Sequence, residues 1–256
     1  MSRAGSTGNA VDAAITWRHD WAPHLFSFRV DRPAGLRFAP GQFVRLGVST
    51  EAGGTEWRAY SIASPPTDDM LEFYSIVVPD GAFTQALVRL GVGDSIAIDG
   101  TVYGFLRTDR FAPASQLWLL ATGTGIAPFA SILGDDAVWS AYDDLVVVHS
   151  VRTAAELAYR DAIEARGRRS PHARLHYVPT ITGTDAGSGW HARIPALLAD
   201  RRLEDALGLA ITPDSSRLMV CGNPAMIKEA RAVLVERGLA PVRRDRPGQF
   251  IVENFW

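Results

Sequence analysis

The segment "RAYSIASPP" at residues 58–66 places a cation, a phenol and a hydroxyl close together at the end of a predicted strand. Arg58, Tyr60 and Ile62 alternate as residues of a β-strand do, and the two prolines prevent the ladder from continuing. These residue types indicate a site for a ligand that carries both negative charge and an aromatic ring. The rim of a β-barrel with mixed polarity would give the same pattern, so both interpretations stay open here.

A glycine-rich turn forms a second candidate site, in "LWLLATGTGIAPF". A continuous apolar run leads into glycines and then into a helical pattern. In parallel sheets, ligands bind at the carboxyl ends of the strands, and helix N-termini attract phosphate. Gly123 and Gly125 would let a pyrophosphate approach the backbone, with the hydroxyls of Thr122 and Thr124 beside it. The alternative is a tight β–α turn without a ligand.

Two arginines in the same half of the chain could bind a phosphate. Arg152 follows the apolar run "LVVVHS", and Arg193 begins the helix predicted from "RIPALLADRRLEDAL". A guanidinium binds phosphate as a planar fork, although each arginine alone could equally be a solvated surface charge. Together they predict a pocket for a 2′-phosphate. The segment "CGNP" gives a further strand-to-helix turn, with Gly222 and a helix start at Pro224.

The elements that must position these residues differ between the two halves. Up to about residue 110, short alternating strands are separated by glycine, proline and acidic turns, with one helix in "GAFTQALVRLG". This pattern predicts a small antiparallel β-barrel. Beyond it, continuous apolar strands alternate with helices, which predicts a doubly wound parallel sheet. We therefore predict a flexible tail at 1–13, a barrel domain at 14–110 and an α/β domain at 111–256.

Composition excludes several classes of protein. The chain has 256 residues, a formal net charge of -2 and one cysteine. That length can bury two cores, and the charge argues against a broad nucleic-acid surface. One cysteine excludes an intrachain disulfide, a thiolate-ligated cluster and a four-cysteine zinc site, and no metal site is expected. No apolar run approaches the roughly 20 residues that span a bilayer, and no secretory signal is evident, so we expect a soluble cytoplasmic protein.

The order of "RAYS", "GAFT", "ATGTG", "CGNP" and a terminal aromatic residue resembles the ferredoxin/flavodoxin–NADP+ reductases, and the bacterial subgroup in particular. The resemblance runs from about residue 14 to the last residue. It implies an FAD-binding barrel followed by an NADP-binding α/β domain. It also implies hydride transfer between NADP(H) and FAD, and single-electron exchange with ferredoxin or flavodoxin in a transient complex with a monomeric reductase.

The resemblance implies which residues bind FAD. Arg58 would pair with the pyrophosphate, Tyr60 would lie against the isoalloxazine, and Ser61 would form a hydrogen bond near its reactive edge. The terminal aromatic would pack on the ring as a movable lid. The full set of predicted FAD-binding residues is Arg58, Ala59, Tyr60, Ser61, Tyr74, Ala82, Phe83, Thr84, Thr124, Phe255 and Trp256.

The predicted NADP-binding residues are Gly123, Gly125, Arg152, Arg193, Cys221, Gly222 and Asn223. The predicted catalytic residues are Ser61, Cys221, Glu253 and Trp256. Cys221 would pack and orient, or be only a small buried side chain, and Glu253 would position charge or relay a proton. In the bacterial relatives a Ser-Arg pair also holds the 2′-phosphate. This chain has Thr182 and Gly183 in "TITGTDAGSG" instead, so we expect weaker discrimination against NADH.

Two other functions remain possible from the sequence. One keeps the fold but makes the chain a reductase of free flavin or of an oxygenase partner. The other is a non-catalytic NADP-binding regulatory protein. An acidic electron carrier would need a basic patch near the flavin, for which Arg45, Arg58, Arg89 and "VRRDR" are candidates. A solvated face would explain these charges equally well.

Overall fold

The first half of the chain forms an antiparallel sheet. The structure is a computed structural model that describes residues 9–51, 53–183 and 190–254. Six strands pair in the order β4-β3-β6-β1-β2-β5, and an antiparallel bridge from Ile62 to Phe73 joins the end of β4 to β5, as in a closed barrel. The strands are β1 (Ala10–Ala22), β2 (Leu25–Asp31), β3 (Phe43–Ser49), β4 (Thr55–Ser61), β5 (Met70–Ile76) and β6 (Ser95–Asp99), and helix α1 is Ala82–Leu87.

Strand β1 begins earlier than the sequence suggests. Its first residues, from Ala10 to Ala14, pair with β6, and from Ile15 onward it pairs with β2. Ala13 is buried in the barrel core. The prediction of a tail over 1–13 is therefore wrong for residues 10–13, because a weakly apolar segment gains its order from hydrogen bonds to a strand far along the chain. Residues 1–8 lie outside the described part.

The second half is a parallel sheet with the strand order β11-β10-β7-β8-β9. The chain runs outward from β7 to β9 and then crosses to the other side of β7. The crevice between β7 and β10 is therefore the topological switch point, where open α/β sheets bind ligands. The strands are β7 (Gln116–Thr122), β8 (Asp144–Val151), β9 (Arg174–Ile181), β10 (Ser216–Gly222) and β11 (Phe250–Asn254). The helices are α2 (Ala127–Gly134), α3 (Asp136–Ala141), α4 (Arg160–Gly167), α5 (Ile194–Ala199), α6 (Arg202–Leu207) and α7 (Pro224–Glu236).

The parallel sheet is covered on both faces, as its apolar strands predict. Leu119 of β7 packs in a core with Phe129 and Ile132 of α2, and this core continues into the barrel at Leu25 and Tyr74. On the other face, Trp118 and Leu120 pack with residues of α5 and α7. The predicted fold class, a barrel followed by a doubly wound α/β domain, is confirmed.

Three predicted helices are shorter or broken. The helix predicted over "RIPALLADRRLEDAL" is two helices, α5 and α6, because Arg201 adopts a left-handed conformation with φ 55°. One of the helices that we predict to alternate with the apolar strands falls in "AAELAYRDAIEARG". It begins as a 3-10 turn followed by α4, which starts after Tyr159 with φ 64°. The barrel helix ends at Leu87. Within the described residues, no helix is long and apolar enough to cross a bilayer.

Candidate functional site

A cavity of about 550 Å³ lies between the end of β4, strand β5 and the glycine turn after β7. Its volume is within the range typical of ligand sites, and most of its wall is apolar with a few polar groups. The two halves of the chain contribute to it together. The lining residues are Trp57, Arg58, Ala59, Tyr60, Ser61, Tyr74, Ser75, Ile76, Val78, Gly81, Phe83, Thr84, Thr124, Ala127 and Asn254.

The "RAYS" residues occupy different depths of this cavity. Arg58 lies at the mouth with 57% of its side chain exposed, and its Nη1 donates to the Glu56 carboxylate at 3.0 Å. The Tyr60 hydroxyl forms a 2.8 Å hydrogen bond with the Ser75 hydroxyl, and burial raises the pKa of Tyr60 to about 12. Ser61 is buried at the end of the strand. The segment thus offers an exposed cation at the mouth, a ring along the wall and a hydroxyl at the base.

Two buried hydroxyls in the cavity wall lack partners. Neither Ser61 Oγ nor the Tyr74 hydroxyl makes a hydrogen bond to any described residue. Burial, with the charge of Glu156, raises the pKa of Tyr74, so its phenol stays protonated and can donate. Buried polar atoms are nearly always paired in native proteins. Their orphan state therefore indicates a ligand that brings polar atoms into an otherwise apolar cavity, as the ring system of FAD would.

The predicted residues around α1 are placed unequally. Phe83 lines the cavity and is buried. Thr84 also lines it, but its hydroxyl accepts from the Val78 N–H at 3.0 Å and lies 3.2 Å from the Gly81 carbonyl, so the turn itself uses this group. Ala82 is not among the lining residues. Phe255 and Trp256, which the sequence predicts to cover the flavin, lie outside the described residues.

Different structural constraints apply at the two glycines of the "GTG" turn. Gly123 has φ 51°, and a Cβ there would meet no described atom within 4 Å. Gly125 faces the neighbouring turn, where a Cβ would lie 2.6 Å from the Cys221 carbonyl carbon and 2.9 Å from Gly222 Cα. Close packing of the turns after β7 and β10 thus accounts for Gly125. Of these two glycines, only Gly123 leaves space beside the backbone for a ligand.

His149 supports this turn, and sequence reasoning missed it. The imidazole is fully buried in β8, with Nε2 3.1 Å from the Gly123 carbonyl and Nδ1 3.1 Å from the Tyr177 hydroxyl. A carbonyl only accepts, so Nε2 carries the proton and Nδ1 accepts from Tyr177. Burial lowers the pKa of His149 to about 4, which keeps the ring neutral. The sequence feature that could have indicated this residue is a histidine inside the apolar run "LVVVHS".

Cys221 and Glu253 lie side by side at the carboxyl edge of the sheet, paired in register between β10 and β11. Cys221 is fully buried, and burial followed by the charge of Glu253 raises the pKa of its thiol. Burial raises the pKa of Glu253 to about 7, and its Oε1 has no partner among the described residues. The next residue, Asn254, lines the cavity. The arrangement offers an inert thiol and a carboxyl group that can exchange a proton near neutral pH.

The remaining predicted nucleotide residues stand at the same edge of the sheet or at the start of its helices. Arg152 follows β8, and its backbone carbonyl accepts a 2.9 Å hydrogen bond from the Gly183 N–H. Arg193 precedes α5 with its side chain 61% exposed and lies 3.8 Å from Glu229. Asn223 caps α7 through Oδ1, which accepts from Ala225 at 2.9 Å. Residues 184–189 lie outside the described part, so the surroundings of Thr182 and Gly183 are described on one side only.

Comparisons with known proteins agree with this architecture. Residues 15–105 match the oxidoreductase FAD-binding domain, and residues 119–232 match the oxidoreductase NAD-binding domain. These two matches and the cavity between the corresponding halves define a two-domain, FAD-dependent oxidoreductase.

Individual relatives narrow the family. The flavodoxin/ferredoxin–NADP reductase of Rhodobacter capsulatus is 41% identical over 94% of this chain and 91% of its own length. The ferredoxin–NADP reductase of Pseudomonas aeruginosa is 38% identical, over 92% and 93%. A solved ferredoxin NADP+ reductase from Neisseria gonorrhoeae with bound FAD and NADP superimposes with a TM-score of 0.89 at 36% identity, covering 96% of this chain and 99% of that one. The chain belongs to the ferredoxin/flavodoxin–NADP reductase family, which confirms the resemblance of its motifs.

Proposed function

We propose that this chain is an FAD-dependent reductase that exchanges a hydride with NADP(H) and single electrons with ferredoxin or flavodoxin. The observation that carries the proposal is the cavity shared by the barrel and the α/β domain, with two unpartnered hydroxyls in an apolar wall. Bound FAD supplies a ring that takes up a hydride and can release electrons singly. The residues of the chain bind this ring, orient it and keep water from it.

In this proposal the cavity residues divide the work of binding. Arg58, exposed at the mouth, would exchange its contact with Glu56 for a charge-assisted contact with the pyrophosphate. Ser61 and Tyr74 would donate hydrogen bonds from their unpartnered hydroxyls to polar atoms of the ring, while the Tyr60 ring forms part of the wall. Thr124 closes the cavity from the α/β domain.

Glu253 and Cys221 act at the edge where nicotinamide would enter. With a pKa of about 7, the carboxyl of Glu253 is partly protonated at neutral pH and can take up or release a proton at Oε1. The Cys221 thiol keeps its proton, because burial raises its pKa. Its role is packing and orientation and not nucleophilic attack.

For the nucleotide, we propose that Gly123 gives access to the backbone, with Gly125, Gly222 and Asn223 shaping the two adjacent turns. Arg152 and Arg193 would hold the 2′-phosphate. The absence of an arginine at Thr182 or Gly183 removes one charged partner, worth about 1.5–3 kcal/mol. The ratio of kcat/KM for NADPH over NADH tests this. Arg152→Ala and Arg193→Ala should lower the ratio and Thr182→Arg should raise it, whereas equal ratios in all variants would contradict the assignment.

The terminal residues Phe255 and Trp256 remain proposed as a movable cover of the flavin ring. In this proposal the Trp256 indole occupies the face of the flavin ring that nicotinamide must reach, so the two compete. Deletion of Trp256 should therefore tighten NADP+ binding and slow its release. The dissociation constant from equilibrium titration and the release rate from stopped flow test this. Unchanged affinity in the truncated protein would count against the cover.

We further propose that the enzyme is a cytoplasmic monomer that meets an acidic carrier protein at a basic patch near the cavity mouth. Arg45, Arg58 and Arg89 belong to the barrel, and "VRRDR" at 242–246 precedes β11. A rim charge acts mainly on association and its salt dependence. Arg45→Gln and Arg89→Gln should raise the KM for ferredoxin and flatten its salt dependence without changing the KM for NADPH. Arg202→Gln, on α6, is the matched control.

The deciding experiment is a visible spectrum of the purified protein before and after anaerobic addition of NADPH. Flavin bands that bleach with NADPH support the proposal, and a colourless protein that binds NADP would favour a regulatory role. Competition among ferredoxin, flavodoxin and free flavin as acceptors then identifies the electron partner. Preference for free flavin, or for an oxygenase component, would replace the carrier-protein assignment.

A further inference from the structure

A row of aromatic contacts leads from the cavity to the protein surface. Tyr74, in the cavity wall, lies 5.5 Å from Tyr159 between ring centroids, and Tyr159 lies 5.4 Å from Trp21. On β1, His19 follows at 4.4 Å from Trp21, and Trp17 at 5.8 Å from His19. These distances are typical of rings in contact, and Trp17 is 36% exposed. We call these five residues the aromatic row.

The sequence builds this row from two distant segments. Trp17, His19 and Trp21 alternate on β1, so their side chains project from the same face of the sheet. Tyr159 comes from the α/β domain, in a left-handed conformation with φ 64°. A bulky residue rarely adopts this conformation, and such strain persists only where the surrounding structure fixes it. Here it holds the Tyr159 ring between Trp21 and Tyr74.

Hydrogen bonds in the row determine which residues can lose an electron. The buried Ser27 hydroxyl accepts from Trp21 Nε1 at 2.8 Å and lies 2.7 Å from the Tyr159 hydroxyl. Serine is not a base, and the Glu72 carboxylate beside Tyr159 is already paired with Arg29 at 2.7 Å. The Tyr74 hydroxyl has no partner among the described residues. Burial raises the pKa of both phenols. An oxidised phenol must release its proton at once, whereas an indole can lose an electron first, so positive charge would rest on the tryptophans.

The outer end of the row is suited to releasing a proton. The Arg29 guanidinium carbon lies 4.9 Å from the centre of the Trp17 ring. Its positive charge disfavours a second cation there, while the exposure of Trp17 gives its indole access to water. Loss of the indole N–H proton to water would therefore leave a neutral radical on Trp17, which is the stable end of the row.

We infer that the aromatic row is a one-electron path from the surface to the flavin cavity, which quenches the flavin after blue light has excited it. The inference rests on the proposed binding of FAD in this cavity. One electron tunnels from Trp21 across the Tyr159 and Tyr74 rings to the excited oxidised flavin, so that neither phenol holds the positive charge, and Trp17 returns an electron to Trp21. The flavin is reduced by one electron, Trp17 is oxidised by one, and the Trp17 proton enters water.

Within the described part of the chain, the other aromatic residues of the cavity do not provide such a path. Tyr60 contacts Phe83 at 5.4 Å and Phe73 at 6.4 Å, and phenylalanine is not oxidised under these conditions. Trp57, which faces the Arg45 guanidinium carbon at 5.7 Å, has no ring contact among the described residues that continues to another tyrosine or tryptophan. Both can donate an electron directly, but it returns at once. The separated charge must therefore be measured by its lifetime, and not by the initial quenching of fluorescence.

The test is flash excitation of the FAD-loaded full chain without oxygen or added donor, with transient absorption of the tryptophan radical. Wild-type protein should give a long-lived radical. Trp21→Phe should remove most of it, and Trp17→Phe should shorten its lifetime several-fold. Trp139→Phe is the matched control, because the Trp139 indole is also buried and donates a 2.8 Å hydrogen bond, to the Leu133 carbonyl. NADPH-dependent reductase activity should stay at the wild-type level in all three variants.

A long-lived radical of equal yield and lifetime in Trp21→Phe would overturn the path, and so would FAD-loaded wild-type protein that forms no radical. A purified protein that binds no FAD would overturn the proposed function together with the path. The visible spectrum of each sample, taken before the flash, separates these two failures.

Discussion

Glu253 gives the sharpest prediction, because its carboxyl keeps its proton up to a higher pH in the folded protein than in the unfolded chain. Burial raises its pKa from 4.5 to about 7. Between these values the unfolded chain has released the proton and the folded chain keeps it, so the free energy of unfolding falls as pH rises. At about 1.4 kcal/mol per pH unit, the carboxyl costs the folded state about 3 kcal/mol above pH 7. Below pH 4.5 this cost is absent.

Glu253→Gln removes the titration while keeping the size of the side chain. The free energy of unfolding of the variant relative to wild type should therefore rise by about 3 kcal/mol from pH 4.5 to pH 7.5. The difference between the proteins is the useful quantity, because His149 acts with the opposite sign. Its pKa falls from 6.5 to about 4, so it lowers stability as the pH drops between these values and partly masks Glu253 in wild type.

The assay is urea unfolding of the FAD-loaded proteins at several pH values, followed by tryptophan fluorescence and circular dichroism. Glu236→Gln, on the exposed end of α7, is the matched control and should show a difference that does not change with pH. A flat difference curve for Glu253→Gln would refute the reasoning, since it would mean that the carboxyl is ionised in the folded protein at no cost.

Three further predictions concern the turn residues and the cavity hydroxyl. Gly125→Ala should destabilise the protein by about 1–3 kcal/mol or more, measured by urea unfolding, because the new Cβ meets the backbone of Cys221. Gly123→Ala meets open space but keeps a left-handed φ of 51°, so it should cost only the backbone strain of about 1–2 kcal/mol. His149→Leu removes the hydrogen bond to the Gly123 carbonyl, so it should weaken NADP+ binding about tenfold, measured by equilibrium titration. His149→Gln, which can still donate a hydrogen bond, should restore part of the affinity. Ser61→Ala should leave the apoprotein as stable as wild type, because Ser61 Oγ has no described partner, yet slow flavin reduction by NADPH in stopped flow.

The sequence predicted the parts of the fold whose signals are local. The apolar run that ends in "ATGTG" and the strand ended by Pro65 and Pro66 both lie where the patterns predicted. The break between α5 and α6 carries no such mark, since Arg201 is neither glycine nor proline, and its left-handed backbone follows from packing. The early start of β1 was also missed, because only pairing with β6 orders it.

The sequence could predict which residues form the candidate site, but not which of their polar groups lack hydrogen-bond partners. Residue types indicated Arg58, Tyr60 and Ser61, the family resemblance added Tyr74, and these residues meet in one cavity. The lack of partners for two of their hydroxyls depends on every neighbour in space and has no counterpart in a sequence pattern. His149 was missed for a related reason, since a histidine in an apolar strand shows its purpose only when the Gly123 carbonyl is placed against it.

The apolar layer between the two halves has a practical consequence for expression of fragments. Leu25 and Tyr74 of the barrel pack in one continuous core with Leu119, Phe129 and Ile132 of the other half. Cutting the chain between the halves would expose on each piece the apolar residues that pack in this shared core. The pieces should therefore aggregate when expressed alone and stay soluble when expressed together, because each half covers the apolar surface of the other.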